Sequence, residues 1–381
     1  MNSSATNNPF DVMVIGAGAA GLMAALELAQ AGKRTAIIEA RDRIGGRILT
    51  ISDNHFQLPV EGGAEFVHGD LKMWHLLLKK AGAKLYEVAG DIWQNNNGNI
   101  EKQQGFIEDY STLEKKIKKL KHDLPVSEFL QTSLQGQELD ELRFSLKNYV
   151  EGYYAADTAR ASTLAMKEEL NKSSDKQYRI EGGYGQLIQY LYEQCKNNGV
   201  NFILSQPVRK IEWVKDDVQV TTNQQNFTSR KVLITVSIGV LQSGNISFSP
   251  EIQQKIVAAK QLGYGAVAKI ILQFEDPFWN KREFTHGKDL SRLSFSFSDA
   301  VIPTWWTYYP KDVAMITGWS GGPNADRLED LSDQEILDKA LRSLSQIFSI
   351  STADLKKKLK ASQVFNWSKD PLSFGLILMM W

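Results

Sequence analysis

Two stretches of this 381-residue chain combine residue types and spacings that chemistry can use. The first is "GYGAVAKIILQF", in which Lys269 stands in an apolar run. With strand periodicity, Val267, Lys269, Ile271 and Gln273 share one face and Ala268, Ile270 and Leu272 the other, so the ammonium has apolar neighbours on both. An unpaired buried ammonium is costly or loses its proton, so such a lysine has a partner or a task. The plain alternative is an edge-strand lysine whose head snorkels to water. The second stretch is "VIGAGAAGLMA", where Gly16, Gly18 and Gly21 follow a short apolar run in the spacing GxGxxG. Gly16 permits a tight turn, Gly18 lets a pyrophosphate reach the backbone, and Gly21 allows a helix to pack against a strand.

These glycines need particular elements around them. Residues 12–15 read as a strand buried on both faces, and residues 19–31 as a helix ended by Gly32. Ala20 falls in the first turn, where free N–H groups and the helix dipole favour phosphate. A second strand, 35–38, runs into Glu39 and Ala40, and Glu39 lies 18 residues beyond Gly21, placed to accept ribose hydroxyls. Strand, helix, second strand and acid together predict dinucleotide binding; a glycine-rich turn in an unrelated unit would explain the glycines alone. The fingerprint by itself leaves NAD and FAD open.

The next residues, "EARDRIGGR", resemble the second phosphate-binding element of the flavin amine oxidases, which include monoamine oxidases, polyamine oxidases and the lysine-specific histone demethylases. The resemblance implies FAD, with Gly45, Gly46 and Arg47 against its pyrophosphate. Arg41 and Arg47 would bring forked charge to phosphate or ribose, or simply belong to a solvated loop. "VEGGAEFVHG" resembles the family segment that passes the flavin ring, where Gly62, Gly63 and Ala64 are small and Glu65 and Phe66 follow. Glu65 faces either an amine or water. His68 falls at the family's tunnel rim, or is a surface histidine. Val208 matches a position whose backbone contacts adenine, and Trp367 belongs to a segment approaching the flavin. The Lys269 strand resembles the family's GxxxK strand, whose lysine holds a water against flavin N5. In "PTWWTYYP", Trp305 faces opposite to Trp306 and Tyr308; one set packs in the core and the other lines a substrate cavity. Proline is common in the family where Ser237 stands here.

The organisation expected is α/β and α+β. An FAD-binding Rossmann-like domain comprises 1–75, 176–260 and 366–381, and an inserted substrate domain of mixed sheet and helices comprises 76–175 and 261–365. "STLEKKIKKLKHDL" spaces Leu113, Ile117, Leu120 and Leu124 as one helical face, and Ser332 with Glu335 forms a capping box. Hydrophobic content of 43%, charged content of 23% and zero net charge are those of a soluble globular protein, with no electrostatic footprint for nucleic acid or an anionic membrane. The single cysteine, Cys195, suits a reducing, cytoplasmic compartment and a non-covalent FAD. Five histidines and one cysteine, none at ligand spacing, predict no metal.

The resemblance implies oxidation of an amine C–N bond by hydride transfer to flavin N5, with O2 as acceptor and imine, then carbonyl, and H2O2 as products. Which amine, and the oligomeric state, stay open. A desaturase or protoporphyrinogen oxidase relative, a NAD-dependent dehydrogenase and a non-catalytic remnant are the rivals. The last bears on "LILMMW", where the family continues with a further strand and helix. If about 500 Å² of apolar surface were left uncovered, about 12 kcal/mol of burial would be forgone. The expectation is therefore a shortened chain that binds FAD weakly, unless "LILMMW" itself fills the gap as a strand.

Overall fold

The computed structural model describes residues 10–69, 71–96, 98–172, 176–375 and 377–379. Two seven-stranded sheets carry the architecture, each assembled from segments far apart in the chain. In the first, Phe10–Ile15 is flanked in parallel by Thr35–Ile38 and Asn226–Ile234, and Asn201–Ile203 extends the sheet beyond Thr35–Ile38. Val14 and Ile37 pack on one face with Leu22 and Ala25; Met13, Ile15, Ala36 and Ile38 pack on the other with Ile211 and Val220. Burial on both faces explains why these strands read as unbroken apolar runs. Helix Ala19–Gln30 follows the glycine turn, and the chain leaves it through Gly32 at φ +75°. It packs beside helix Gly185–Asn197, whose Cys195 is buried and donates from Sγ to the Leu22 carbonyl at 3.2 Å.

The second sheet runs in the order Leu359–Asn366, Val267–Phe274, Met315–Gly321, Thr304–Thr307, Leu293–Ser298, Asp91–Asn96 and Asn99–Gln103. Val267–Phe274 is buried along its whole length. Its even-numbered residues Ala268, Ile270 and Leu272 join a core with Ile336, Leu341 and Leu344 of helix Asp333–Ile347. That helix starts at the expected Ser332–Glu335 capping box. The opposite face of the strand presents Lys269. A small sheet of Phe66–His68, Gln177–Ile180 and Leu85–Glu87 lies between the chain segments of the two large ones. The fold is thus the mixed α/β and α+β arrangement expected.

Two local outcomes differ from the sequence pattern. The helix anticipated through Leu124 is Tyr110–Ile117, with Leu113 and Ile117 buried and Leu120 and Leu124 packed against the same core from outside the helix. Pro125 disfavours helical backbone at the residue before it and opens the next helix, Val126–Ser133. Ser237, where the family often has proline, caps helix Ile238–Ser243 by accepting from Val240 N and donates to the Ser373 carbonyl at 2.9 Å. Within the final apolar run, Ile377–Met379 pairs antiparallel with Gly263–Gly265; Leu376, Met380 and Trp381 lie outside the described residues. No helix among the described residues is long and apolar enough to cross a membrane.

Candidate active site

A continuous cavity of about 620 Å³ runs from the glycine turn to the Lys269 strand. At one end it is lined by Gly16, Gly18, Ala20, Glu39, Ala40, Arg41, Gly45, Gly46, Arg47 and Val208. The glycines do what their spacing requires. Gly16 holds φ +107°, and a Cβ on Gly21 would meet the Gly16 carbonyl oxygen at 1.9 Å. A Cβ on Gly18 would meet nothing within 4 Å, so this backbone faces open space beside an uncapped helix N-terminus. Gly18 also bridges Gly45, which joins the two phosphate-binding elements into one cradle, with Gly45 N donating to Ala17 O at 2.9 Å. Glu39 accepts from Ala17 N at 2.7 Å and from Arg41 N at 2.9 Å. Both oxygens keep a further lone pair for ribose hydroxyls. An open glycine cradle, free helix N–H groups and an acceptor at that spacing fit FAD.

Arg41, which lines the cradle, is also engaged within the protein. Its guanidinium is bidentate on Asp370 at 3.0 and 2.7 Å and also reaches Ser373 Oγ at 3.1 Å. That fork ties the segment around Asp370 to the cofactor loop. Arg47 lines the cavity with its guanidinium 5.8 Å from the centre of the Tyr264 ring.

At the other end, Lys269 lines the cavity and is 1% exposed. Its Nζ donates to Glu65 Oε2 at 2.8 Å and to the Gly63 carbonyl at 3.2 Å. Glu65 is a hub: Oε1 also accepts from Arg179 Nε at 2.9 Å, and Trp306 Nε1 lies 3.1 and 3.2 Å from its two oxygens. Burial by itself would raise the Glu65 carboxyl, but Lys269 and Arg179 outweigh it and hold the pKa below its ordinary value. Arg179 is itself clamped between the rings of Phe66 and Tyr308, 4.7 and 4.9 Å from their centres, and donates from Nη2 to Thr307 O. Two cations and one carboxylate leave one net positive charge buried beside the cavity.

Aromatic side chains wall this end. Phe66 packs against Phe295 and Trp306 at 5.8 and 5.4 Å, and Phe106 packs against Phe295 and Phe297. Trp319 donates to the Gly152 carbonyl at 2.7 Å and meets Trp306. The five-residue π-turn Tyr149–Tyr153 brings two stacked tyrosines to the wall. Such turns interrupt a helix to redirect side chains. His68 opens onto the cavity and shares a 3.1 Å hydrogen bond between Nδ1 and Tyr153 Oη. Surrounding protein desolvates both groups, lowering the imidazole pKa and pushing the phenol up to about 12. Behind this end, Glu61 accepts from Tyr184 N at 2.6 Å and Thr50 Oγ1 at 2.8 Å; burial raises its pKa to about 7.

The structure separates the predicted residues into those that meet the cavity and those that support it. Gly63, Ala64, Glu65, Phe66, His68, Lys269 and Trp306 line it. Trp305 does not: it is fully buried in the core and donates to Ile302 O, as the alternation of strand Thr304–Thr307 dictates. Tyr308 is also behind the wall, with Oη 3.2 Å from Thr317 Oγ1. Gly62 and Trp367 stand back too. Trp367 Nε1 donates to Gly62 O at 2.7 Å, and a Cβ on Gly62 would strike the Phe365 ring at 2.6 Å. The pattern reading missed Arg179, Tyr149, Tyr153, Phe295, Phe297 and Trp319. The alternating aromatics of "SFSFS" were a usable signal for Phe295 and Phe297; Arg179 had none.

A turn-helix dinucleotide cradle opening directly into an aromatic chamber with a buried lysine defines a flavin-dependent oxidoreductase. The family model of the flavin containing amine oxidoreductases matches residues 19–377, and the chain belongs to that family. It is 32% identical to polyamine oxidase 2 of Arabidopsis thaliana over 97% of this chain and 78% of that protein. It is 27% identical to lysine-specific histone demethylase 1B of Mus musculus over 94% of this chain but 45% of that longer one. Among solved structures, putrescine oxidase bound to putrescine superimposes with a TM-score of 0.77 at 20% identity, covering 96% of this chain and 87% of the other. Cyclohexylamine oxidase from Brevibacterium oxydans IH-35A gives 0.77 at 19% identity over 98% and 88%. The protein is therefore an FAD-dependent amine oxidoreductase.

Proposed function

We propose that this chain oxidises small amines at the aromatic end of its cavity, with Lys269 as the catalytic residue and O2 as the final acceptor. The observation that carries the reading is that Lys269 opens into the same cavity as the phosphate cradle while held by Glu65 and Gly63 O. Held by Gly16, Gly18, Glu39, Gly45 and Gly46, FAD would supply the two-electron redox chemistry, taking a hydride from the carbon bearing the amine to leave an imine that water hydrolyses, with O2 reduced to H2O2.

The protein's own groups prepare that step. Two of the three Lys269 N–H donors are taken, so one is left to orient a water or the amine nitrogen in the cavity. Hydride loss needs a neutral amine, and the net positive charge of the Lys269–Glu65–Arg179 cluster disfavours an ammonium beside it. Phe66, Phe295 and Trp306 exclude water from the same region. Non-covalent FAD is supported by the position of Cys195, buried against the Leu22 carbonyl. That unpaired thiol also supports a cytoplasmic setting. Division into a cofactor domain and an inserted substrate domain fits the way each large sheet draws on separated segments.

Lys269→Met tests the assignment. It leaves Glu65 paired with Arg179, so the fold is expected to survive with FAD content unchanged. Amine-dependent H2O2 formation is expected to fall about 100-fold, about 2.7 kcal/mol in the barrier. Undiminished turnover would remove Lys269 from the chemistry.

A further inference from the structure

Resting on the amine-oxidation reading, we propose that the cavity selects amines with one charge and a lipophilic body and discriminates against diamines and polyamines. The carboxylates carry the argument. Among the described residues lining the cavity, two are acidic: Glu39 and Glu65. Glu39 lies at the phosphate cradle and is engaged by Ala17 N and Arg41 N. Glu65 lies at the amine end, but Lys269, Arg179 and Trp306 already donate to it, and the cations around it exceed its charge. Among the described residues, an incoming ammonium finds no uncommitted carboxylate there.

The other polar groups in that chamber are neutral. Asn148, Gln177, Thr304 and Tyr153 carry no charge, and the His68 imidazole is held toward its neutral form by desolvation. The rest of the wall is apolar, most of it aromatic. A ring face attracts a cation only weakly. Removing an unpaired ammonium from water costs more than the rings return. The reacting nitrogen escapes this by entering neutral; a second ammonium on the same chain does not. A monoamine of equal length meets the aromatic wall with a methyl group and gains burial instead. The site therefore differs in charge logic from what the name of its relative, polyamine oxidase 2, would suggest.

A matched pair tests this directly: hexylamine against hexamethylenediamine, with spermidine as a third substrate, on the FAD-loaded protein. The kcat/KM for hexylamine is expected to exceed that for the diamine by about tenfold or more, with spermidine lower still. Equal or better turnover of the diamine or spermidine would overturn the proposal while leaving amine oxidation intact. Were neither amine oxidised, the functional reading would fall. The charge argument would then still be read from binding, by tryptophan quenching as each amine enters beside Trp306 and Trp319; tighter binding of the diamine would overturn it. Gln177 pairs with His68 across two strands and lines the cavity. Gln177→Glu adds the missing carboxylate and is expected to shrink the hexylamine-to-diamine ratio about tenfold. A ratio unmoved by a folded Gln177→Glu variant would also count against the proposal.

Discussion

The two ends of the cavity are built on opposite plans. The cradle end is backbone: Gly16, Gly18, Gly45 and Gly46 present main chain and empty space, and they come from two motifs within the first 46 residues. The amine end is side chain: Glu65, Tyr153, Arg179, Lys269, Phe295, Trp306 and Trp319 meet from segments spread over more than 250 residues. A backbone site breaks when anything is added. A side-chain site breaks when a partner is taken away.

The largest break is expected at the cradle. Gly21→Val would drive a branched side chain against the Gly16 carbonyl, which a Cβ alone already approaches to 1.9 Å. The strand–helix turn cannot keep its shape, and the purified protein is expected to lack the flavin absorption bands altogether. Retention of stoichiometric FAD would show that the turn is softer than its packing implies.

The counterpart at the amine end is a deletion. Glu65→Gln leaves Lys269 and Arg179 buried with no carboxylate between them. Stripping one partner from a buried ionic cluster costs about 3–5 kcal/mol, so denaturant unfolding is expected to shift accordingly. Adding Arg179→Met to Glu65→Gln removes one orphaned cation and is expected to recover part of that loss. A double variant no more stable than the single one would argue that the cluster is not coupled.

The smallest effect lies behind the wall. Glu61 is protonated in the folded protein up to about pH 7, whereas its ordinary pKa is 4.5. The folded state therefore holds a proton that the unfolded chain has released, and stability from this group falls as pH rises from about 4.5 to 7. The full shift corresponds to about 3 kcal/mol at most. Glu61→Gln keeps an acceptor for Tyr184 N and is expected to flatten the loss of stability between pH 5 and pH 8. An unchanged pH slope would mean that Glu61 does not titrate in this window.

The same contrast explains what was legible beforehand. Residues 10–39 matched their reading almost element for element, because a parallel strand buried on both faces and a glycine-turned helix are dictated by near neighbours. Lys269 was legible as a buried lysine because alternation along one strand suffices to show apolar faces on both sides. Its partner was not. Glu65 and Arg179 stand 204 and 90 residues away from it, and nothing in their local sequence marks a pair. The partner of Arg41 was hidden for the same reason: Asp370 engages it from 329 residues away.

The cofactor cradle, the family and the presence of a buried lysine are written into short stretches of chain, since each depends on backbone conformation and periodicity over a few residues. The packing of distant segments sets which carboxylates are engaged, that Trp306 rather than Trp305 faces the cavity, and that Lys269 and Arg179 share the single carboxylate of Glu65. Those are properties of pairings between distant segments, and electrostatics in a buried site depends on who the final neighbours are.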